Sequence, residues 1–483
     1  MALFIGTFID TPLPSCLRIR TAHLLAVSDE GYITHLAPVA SEASRSLLSL
    51  SADVCASNLH LDPATASTAT ASTATTSTAT TSTATATTAA TSTATESTAD
   101  ASRATVTTLN RHAFVLPTYT DLHLHAPQYL YAGTGLDLPL MQWLDRYAYR
   151  AEERVDADPQ LAKRVYGRLC ERLVAAGTGC VSFFGSLSVD SNMILAECVQ
   201  EAGLRGFIGK LSMDQSPRPT YGEASTDVSL SSVTAFLDRM SALVAPFPPH
   251  ERLVEPILTP RFVPTCSDAL LAGLAKISAD RGVRVQSHMC ESRDQIAWVE
   301  NTRGKRDEDV WDEAGLLGDK TLQAHVTSLP PALISKLKDR GVTCAHCPLS
   351  NAYFSDAQFP LREALDADVK VGLGSDIAGG YALSIETAMR QAVVTARLRE
   401  GARREIEVSG TAMAHADSQN QSLRVDWIES LYIATRGGKK AMGMGGCLEV
   451  GMEFDAQLSE STQPHIRIMS SVWMVKVDDW LSA

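Results

Sequence analysis

The chemistry of this sequence begins with two histidines that are separated by a single residue. His123 and His125 stand in the run Thr-Asp-Leu-His-Leu-His at 120–125, just after a short apolar run at 113–116. Alternate residues of a β-strand point to the same face of its sheet, so both imidazoles would face one side. Neutral imidazole is a common ligand of zinc. The pair therefore predicts part of a metal site, and the other ligands must come from distant parts of the chain.

Other apolar runs also end on polar residues, which is unexpected if those residues only fill a core. These ends are Arg261-Phe262, Ser287-His288 with Glu291 three residues later, Ala324-His325, and Gly374-Ser375-Asp376. Together with the first pair they offer four imidazoles and one carboxylate, a set that suits a zinc ion with one further place for water. Zinc lowers the pKa of a bound water toward neutrality, so the predicted chemistry is metal-assisted hydrolysis.

Two acidic residues of this set have predicted roles in moving protons. Asp376 is expected to ligate the ion and to accept the proton of the attacking water. Glu291, one helical turn after His288, is expected to carry that proton to the substrate, although a carboxylate is also favoured at a helix start for electrostatic reasons alone. His325 has two alternative roles, as a ligand of the ion or as a group that polarises the water, and the sequence does not choose between them.

These residues need a scaffold that brings strand ends together, and the apolar pattern supplies one. Eight short apolar runs, most of them followed by amphipathic segments, occur at 113–116, 180–184, 206–211, 254–262, 283–288, 321–326, 342–347 and 369–376. Helical spacing is found between them. Eight strands that alternate with helices predict an α/β fold, a (β/α)8 TIM-type barrel whose C-terminal strand ends carry the chemistry. A doubly wound open sheet is the alternative, but the sequence has neither a G-x-G-x-x-G fingerprint nor a P-loop.

The segments on either side of the barrel predict a second, smaller domain. Short apolar stretches in residues 1–63 and 446–483 favour strands that combine into a small β-sandwich-like domain, with the barrel at 109–445. Residues 64–108 consist almost entirely of Thr, Ala and Ser. Such a segment cannot bury enough apolar surface to offset its conformational entropy, so we predict a disordered insertion. An O-glycosylated stalk has a similar composition, but the N-terminus is a poor signal peptide.

Composition narrows the classes of partner. The 483 residues carry a formal net charge of −13, which argues against nucleic acid and against an anionic membrane as partners. No apolar run approaches the roughly 18 residues of a membrane span. The ten cysteines are irregularly spaced, a pattern typical of reduced thiols in a cytoplasmic protein. We therefore expect a cytoplasmic enzyme that acts on a small molecule.

The motifs at these strand ends resemble those of the metal-dependent amidohydrolase superfamily, in its mononuclear deaminase branch. More narrowly, they resemble the guanine deaminase family in the runs H-L-H-A-P-Q-Y (123–129), T-P-R-F (259–262), S-H-M-C-E (287–291), A-H-C-P-L-S-N (345–351) and G-L-G-S-D-I-A-G-G-Y (372–381). The similarity extends over nearly all of residues 111–456. One position departs from the family pattern, since Thr118 stands where a glycine is usual, which leaves the local turn open.

The resemblance implies that guanine is hydrolysed to xanthine and ammonia, that the four histidines and Asp376 hold one zinc ion per subunit, and that the protein is a homodimer. It also implies that Gln128, Arg261 and Phe262 contact the purine, alongside His288, Glu291 and Asp376. Arginine can pair two donors with O6 and N7 of guanine, as it does in DNA recognition. Gln128 offers a donor and an acceptor to the purine edge, and Phe262 would stack on or wall the flat ring. An ordinary ion pair is the alternative role for Arg261.

Two rival functions are compatible with the same fold. The first is another aminohydrolase or chlorohydrolase of this superfamily, acting on adenosine-like, cytosine-like or triazine substrates, although Gln128 and Arg261 favour a purine that bears a carbonyl. The second is a catalytically inactive scaffold, whose signature would be a missing ligand, and none is missing. The deaminase architecture built on H-x-E and P-C-x-x-C is excluded, because neither motif occurs.

Overall fold

The computed structural model describes residues 1–49, 105–355, 357–408, 422–460 and 467–469. The strands are β1 (Ala2–Leu13), β2 (Cys16–Val27), β3 (Ile33–Pro38), β4 (Thr105–Thr108), β5 (Ala113–Pro117), β6 (Tyr119–His125), β7 (Thr178–Phe184), β8 (Arg205–Gly209), β9 (Leu211–Ser212), β10 (Val254–Pro256), β11 (Thr259–Pro260), β12 (Val285–Met289), β13 (Thr321–His325), β14 (Thr343–His346), β15 (Lys370–Leu373), β16 (Ala456–Glu460) and β17 (Arg467–Met469). The α-helices are α1 (Glu42–Ser49), α2 (Leu140–Trp143), α3 (Tyr149–Ala157), α4 (Pro159–Ala175), α5 (Val189–Glu201), α6 (Thr226–Val244), α7 (Asp268–Arg281), α8 (Arg293–Arg303), α9 (Asp307–Glu313), α10 (Pro331–Arg340), α11 (Pro348–Phe354), α12 (Leu361–Asp366), α13 (Ile385–Val408), α14 (Trp427–Tyr432) and α15 (Gly438–Ala441).

The parallel strands β6 to β15 occupy eight successive positions, because the third position is split into β8 and β9 and the fourth into β10 and β11. Within the described residues, β6, β7, β8 and β10 pair side by side, as do β9 with β11 and β12 through β15. A parallel bridge between Leu258 and Val285 joins the fourth position to the fifth. The Asp376 N–H donates to the His123 carbonyl (2.8 Å), so the chain after β15 returns to β6. Helices separate consecutive positions, which is the (β/α)8 arrangement predicted from the sequence.

The run at 113–116 belongs to a different sheet from the one predicted. β5 pairs with β1 and β16, and the first barrel strand is β6. The prediction that 113–116 forms a barrel strand was wrong because two apolar strands follow each other with one residue, Thr118, between them. The Thr118 hydroxyl accepts a hydrogen bond from the buried Lys439 Nζ (3.1 Å). Thr118 is not among the residues with left-handed backbone, so its position does not require the usual glycine.

The N-terminal and C-terminal segments combine in a seven-stranded mixed sheet, built from β1 to β5, β16 and β17. Strand alternation gives each face its own core, with Phe4 and Leu25 on one face and Leu3 and Leu24 on the other. β4 runs parallel to the first residues of β1. The last four residues of the predicted insertion at 64–108 are therefore strand, because they pair with backbone groups that the edge of β1 would otherwise expose. Residues 64–104 lie outside the described part of the chain.

The helices between the strands begin and end at local signals in the sequence. α7 begins after Ser267, whose hydroxyl accepts a backbone N–H, and ends at Gly282, which has left-handed backbone. α14 begins with a capping box in which Asp426 and Glu429 bond to each other's backbone. In the described part of the chain, no helix has the length and apolar character needed to cross a membrane.

Candidate active site

The residues predicted to bind metal meet at the C-terminal end of the barrel. His123 and His125 lie at the end of β6, His288 is the penultimate residue of β12, and His325 ends β13. Asp376 follows the end of β15 by three residues. All five residues are buried, with at most 6% of their surface exposed. The carboxyl ends of parallel strands share one edge of a barrel, so residues that are distant in the chain become neighbours.

The polar atoms of these side chains converge on a small volume. His125 Nε2 is 3.1 Å from His288 Nε2. Asp376 Oδ1 is 3.1 Å from His123 Nε2 and 3.6 Å from His125 Nε2. His325 Nε2 is 3.8 Å from Asp376 Oδ2. The geometry thus joins all five predicted ligands in one cluster, which we call the metal-ligand cluster.

Hydrogen bonds fix the orientation of two of the imidazoles. His288 Nδ1 lies 2.6 Å from the Arg261 carbonyl oxygen, which can only accept, so Nδ1 carries the proton and Nε2 offers its lone pair. His325 Nδ1 lies 2.9 Å from Asn351 Oδ1, so here too Nδ1 carries the proton and Nε2 offers its lone pair. Burial lowers the pKa of all four histidines of the cluster. They are therefore neutral, which is the form in which imidazole binds a metal.

The metal-ligand cluster fits a divalent cation. His123 Nε2 and His325 Nε2 are buried and have no hydrogen-bond partner, because the 3.1 Å approach of His123 to Asp376 lacks hydrogen-bond geometry. A buried polar atom without a partner is costly. A cation would satisfy these nitrogens and the carboxylate at once, and zinc prefers this set of nitrogen and oxygen donors.

Cys347 lies beside the cluster but differs from it in chemistry. Its Sγ is within 4.8 Å of ligand atoms of His123 and His325. Burial raises the pKa of the Cys347 thiol well above its ordinary value, so the thiol stays protonated and is a poor ligand. A Cβ at Gly374 would lie 2.8 Å from both Cys347 Sγ and His123 Cβ. The missing side chain at Gly374 therefore lets the end of β15 approach His123.

Glu291 also lies in the predicted site. Its Oε1 is 3.6 Å from His325 Nε2. Burial, with the nearby charge of Asp376, raises the pKa of Glu291 well above its ordinary value, which favours the protonated form of the carboxyl. The Glu291 carbonyl accepts hydrogen bonds from the hydroxyls of Ser355 and Thr327. These contacts position the Glu291 backbone beside the cluster, so the side chain lies where a proton donor is needed.

Strained backbone is concentrated at this end of the barrel. Six non-glycine residues of the described chain have left-handed φ angles, and four of them belong to the site: Cys290 (51°), His325 (70°), Val326 (47°) and Asp376 (50°). Each such residue costs roughly 1–3 kcal/mol and persists only where its surroundings hold it in place. The strain therefore accompanies the turns that aim these side chains inward.

A small cavity opens beside the metal-ligand cluster. His125, His288 and Asp376 form part of its wall, and the rings of Trp143 and Phe354, 5.2 Å apart, form an apolar part. A small cavity with apolar walls and a few polar groups suits a small flat molecule. Sequence reasoning did not single out the two aromatic residues, because apolar residues in short helices read as ordinary core.

Two of the predicted substrate contacts, Gln128 and Arg261, also line the cavity. Behind them lies Glu152, which is fully buried in α3. Arg261 donates to both carboxylate oxygens of Glu152 (2.6 and 3.0 Å), and its guanidinium lies 4.8 Å from the centre of the Tyr149 ring. Gln128 Nε2 donates to Glu152 Oε1 (2.7 Å). Arg261 thus forms an ion pair, the alternative role, and also lines the cavity. Its contact with a purine stays a prediction.

Phe262 takes a different place from the other predicted contacts. It is buried, with its ring centre 6.4 Å from that of His288, and it is not among the residues that line the cavity. The ring of Phe184, at the end of β7, instead packs 4.6 Å from those of His123 and His288. The stacking of Phe262 on a substrate therefore stays a prediction. The sequence pattern does not mark Phe184 as a site residue, because an aromatic residue at the end of a buried strand usually belongs to the core.

Comparison with known families agrees with this architecture. Residues 114–477, which are most of the chain, match the model of the family described as "Amidohydrolase family". This chain belongs to the amidohydrolase family.

Relatives of this amidohydrolase are similar over most of both chains. Guanine deaminase of Mus musculus is 35% identical over 359 residues, covering 73% of this chain and 74% of the relative. Guanine deaminase of Dictyostelium discoideum is 34% identical over 350 residues, covering 71% and 72%. The crystal structure of guanine deaminase from C. acetobutylicum with guanine bound in its active site has a TM-score of 0.74 at 26% identity, covering 95% of this chain and 90% of that one.

The comparisons confirm the superfamily that the motifs indicated and the TIM-type barrel that the apolar pattern predicted. In this amidohydrolase the match begins within β5 and takes in every barrel strand. The metal-ligand cluster supplies the histidine-rich site that a metal-dependent member of the family needs.

Proposed function

We propose that this amidohydrolase hydrolyses guanine to xanthine and ammonia. One observation carries the proposal: one small cavity is lined by the buried Arg261, by the carboxyl group of Glu291 and by three residues of the metal-ligand cluster, His125, His288 and Asp376. Arg261 supplies donors for the oxygen-bearing edge of a purine, and Glu291 supplies a proton at the reacting centre. The similarity to guanine deaminases supports the same substrate.

The metal-ligand cluster would hold one zinc ion per subunit. His123, His125 and His288 each place a nitrogen within 4.8 Å of the others, and His325 and Asp376 lie against them. When bound, zinc acts as a Lewis acid that lowers the pKa of a water molecule and so makes hydroxide available near neutral pH. The Asp376 carboxylate lies at the centre of the cluster, where it can accept the proton that the attacking water gives up.

Glu291 would deliver a proton to the substrate. It lines the cavity, and burial raises its pKa, which favours the protonated form that can donate to a ring nitrogen while water adds to C2. The C2–N bond then breaks, and the amino group leaves as ammonia with the water proton that Asp376 accepted. The hydroxyl on C2 returns its proton to Glu291 and becomes the carbonyl oxygen of xanthine. Proton transfer by a positioned carboxyl contributes typically 10²–10⁴-fold to a rate.

The polar side of the cavity would select the purine. Arg261 uses part of its guanidinium on Glu152 and keeps further N–H groups for acceptors such as O6 and N7 of guanine. Adenine carries an amino group where guanine carries O6, so adenine would set a donor against a donor. Leaving buried polar groups unpaired in this way is the strongest basis for discrimination by a binding site.

The test is a spectrophotometric assay of purified, zinc-loaded protein with guanine, adenine and cytosine in parallel. We expect xanthine to appear from guanine alone, the activity to disappear with a chelator and to return with zinc. The metal content, measured on the same samples by mass spectrometry, should be one zinc per chain. Folded, zinc-replete protein that leaves guanine unchanged would overturn the proposal, and turnover of adenine or cytosine would point to a rival substrate of the family.

Further parts of the proposal concern the setting of the enzyme. We infer a cytoplasmic homodimer without nucleic-acid or membrane partners, as the composition and the family resemblance imply. Analytical ultracentrifugation tests the dimer, and imaging of a fluorescent fusion tests the cytoplasmic location.

A further inference from the structure

Glu152 lies behind the polar side of the cavity and outside the cavity itself. Glu152 is 0% exposed. Its carboxylate accepts hydrogen bonds from two residues that do line the cavity, Gln128 and Arg261. We propose that Glu152 is a positioning residue for substrate recognition, because it imposes one donor–acceptor pattern on these two side chains. This inference rests on the proposed function, since it specifies how the same cavity recognises its substrate.

The carboxylate settles which way the Gln128 amide points. A side-chain amide can be turned over, so its oxygen and nitrogen can exchange places. An ionised carboxylate only accepts, so the amide nitrogen must face Glu152 Oε1, at 2.7 Å. The amide oxygen then faces the other way, where the Ala378 N–H approaches it at 3.4 Å. Because that contact is long, the oxygen retains capacity to accept a hydrogen bond from a ligand.

The same carboxylate settles the orientation of Arg261. Two of its five N–H groups are used by the two oxygens of Glu152, and this two-point contact fixes the plane of the guanidinium. A third N–H group lies toward Met213 Sδ at 3.9 Å, and the Tyr149 ring covers the face of the group. The remaining two N–H groups are the donors that Arg261 can give to a ligand in the cavity.

The resulting pattern is a fixed acceptor from Gln128 beside fixed donors from Arg261. It is complementary to a purine edge that places a carbonyl oxygen next to a ring N–H, as in guanine and hypoxanthine. It opposes an edge that places an amino group next to an unprotonated ring nitrogen, as in adenine. Without the negative charge of Glu152, the Gln128 amide could turn over and offer a donor instead, so the discrimination between the two edges would weaken.

The first test compares Glu152→Gln with Glu153→Gln. Glu153 is the neighbouring residue in α3 and pairs with Arg218 away from the cavity, so its substitution removes the same charge from the same helix. Binding of hypoxanthine and adenine is measured by calorimetry on zinc-loaded protein, since hypoxanthine lacks the 2-amino group and does not react. We expect Glu152→Gln to weaken hypoxanthine binding by about ten- to hundredfold, and adenine binding by much less.

The ratio of the two affinities separates a positioning role from a structural one. A loss of packing would weaken both ligands by the same factor, and such a result would overturn the proposal. A change of the affinity ratio in Glu153→Gln as large as the change in Glu152→Gln would also overturn it. In steady-state assays with guanine, the proposal expects a higher KM with kcat retained within about threefold, since Glu152 does not touch the reacting atoms.

A second variant covers the case in which Glu152→Gln does not fold, because that variant leaves the Arg261 charge buried without a partner. Glu152→Asp keeps the charge on a side chain that is one methylene shorter, so it cannot reach Gln128 and Arg261 together. We expect it to reduce the hypoxanthine-to-adenine affinity ratio at least fivefold, and a wild-type ratio would overturn the proposal. Because the ratio is a binding measurement, a wild-type protein without guanine turnover would refute the proposed function and still leave the role of Glu152 open to this test.

Discussion

Two neighbouring parts of the cavity wall handle buried polar groups in opposite ways. In the metal-ligand cluster, His123 Nε2 and His325 Nε2 are buried without hydrogen-bond partners. On the other part, Gln128 and Arg261 are already bonded to Glu152. The buried nitrogens of the first part have no partner unless something from outside binds, whereas the side chains of the second part are already held in place by bonds within the protein.

This difference indicates what each part contributes. Unpartnered neutral imidazoles cost stability until a cation binds, so metal binding should stabilise the folded state. A buried ion pair such as Arg261–Glu152 adds little net stability, because the cost of removing both charges from water offsets their attraction. Its value lies in holding donors and acceptors in place before the substrate arrives, which reduces the cost of binding. Substitutions in the cluster should therefore reduce metal binding, and substitutions in the polar part should reduce selectivity between substrates.

The largest effect is expected from removing a ligand of the cluster. His123→Ala takes away one of the converging nitrogens, so zinc affinity should fall by more than about 100-fold, since even substitutions around metal ligands cost 10–100-fold. Turnover of guanine should fall below detection at stoichiometric zinc. Metal content by mass spectrometry and the assay with guanine measure the two losses on the same preparation.

His346→Leu is the matched control for that experiment. His346 is a fully buried histidine next to Cys347 and stacks on Phe359 with ring centres 5.1 Å apart, and we assign it no ligand role. Its removal should leave zinc content unchanged. If His346→Leu lost zinc as His123→Ala does, the boundary drawn around the metal-ligand cluster would be wrong.

The next largest effect is expected from Glu291→Gln, which keeps the shape of the side chain and removes its acid. Glu291 belongs to the reacting side of the cavity, so kcat should fall by about 10²–10⁴-fold while zinc content and KM change little. Stopped-flow or long-time assays with guanine measure the residual rate. A variant with wild-type kcat would contradict the assigned proton transfer, and a variant that lost zinc would assign Glu291 to the metal-ligand cluster.

A smaller effect is expected from Arg261→Lys on the polar part. Lysine keeps the charge but lacks the planar fork that contacts both oxygens of Glu152. Loss of one two-point contact is worth about 1–3 kcal/mol, so kcat/KM for guanine should fall by about ten- to hundredfold, mainly through KM. Zinc content should be unchanged, in contrast to His123→Ala. Equal loss of zinc in both variants would erase the distinction between the two parts of the wall.

The sequence predicted the metal-ligand cluster more fully than the polar part, and the reason is physical. Each ligand lies at or just beyond the end of an apolar strand, and a barrel brings such ends together, so the position of His288 or Asp376 in the site follows from the strand pattern. Glu152 has no such marker. It stands in α3 within the charged run Arg-Ala-Glu-Glu-Arg, where one glutamate reads like the next.

What separates Glu152 from Glu153 is the three-dimensional packing. Glu152 pairs with Arg261, 109 residues along the chain, whereas Glu153 pairs with Arg218 near the surface. Helical phase puts neighbouring residues about 100° apart, so one faces the cavity and the other faces outward. The error at 113–116 has a similar origin, because an apolar strand carries no mark of the sheet to which it belongs. Strand pairing is set by the whole fold and not by the local pattern.

The smallest effect concerns Asp307, which combines features of both parts of the wall. One of its oxygens accepts from the Cys290 N–H (2.7 Å) and from Gln295 Nε2 (2.8 Å), while the other is buried without a partner. Burial raises the pKa of Asp307 from 3.8 to about 7. The folded state therefore binds this proton more tightly than the unfolded state, and the stability that it contributes is lost as pH rises from about 4 to about 7.

Asp307→Asn removes this titration while keeping the shape of the side chain. The difference in free energy of unfolding between wild type and Asp307→Asn should change by on the order of 2 kcal/mol between pH 5 and pH 7, with the wild type losing stability, and should be nearly constant above about pH 8. Denaturant titrations at several pH values measure it. A difference that does not vary with pH would mean that Asp307 is ionised at all of these pH values. Its unpartnered oxygen would then be a buried charge that lacks a partner within the protein, as the nitrogens of the metal-ligand cluster do.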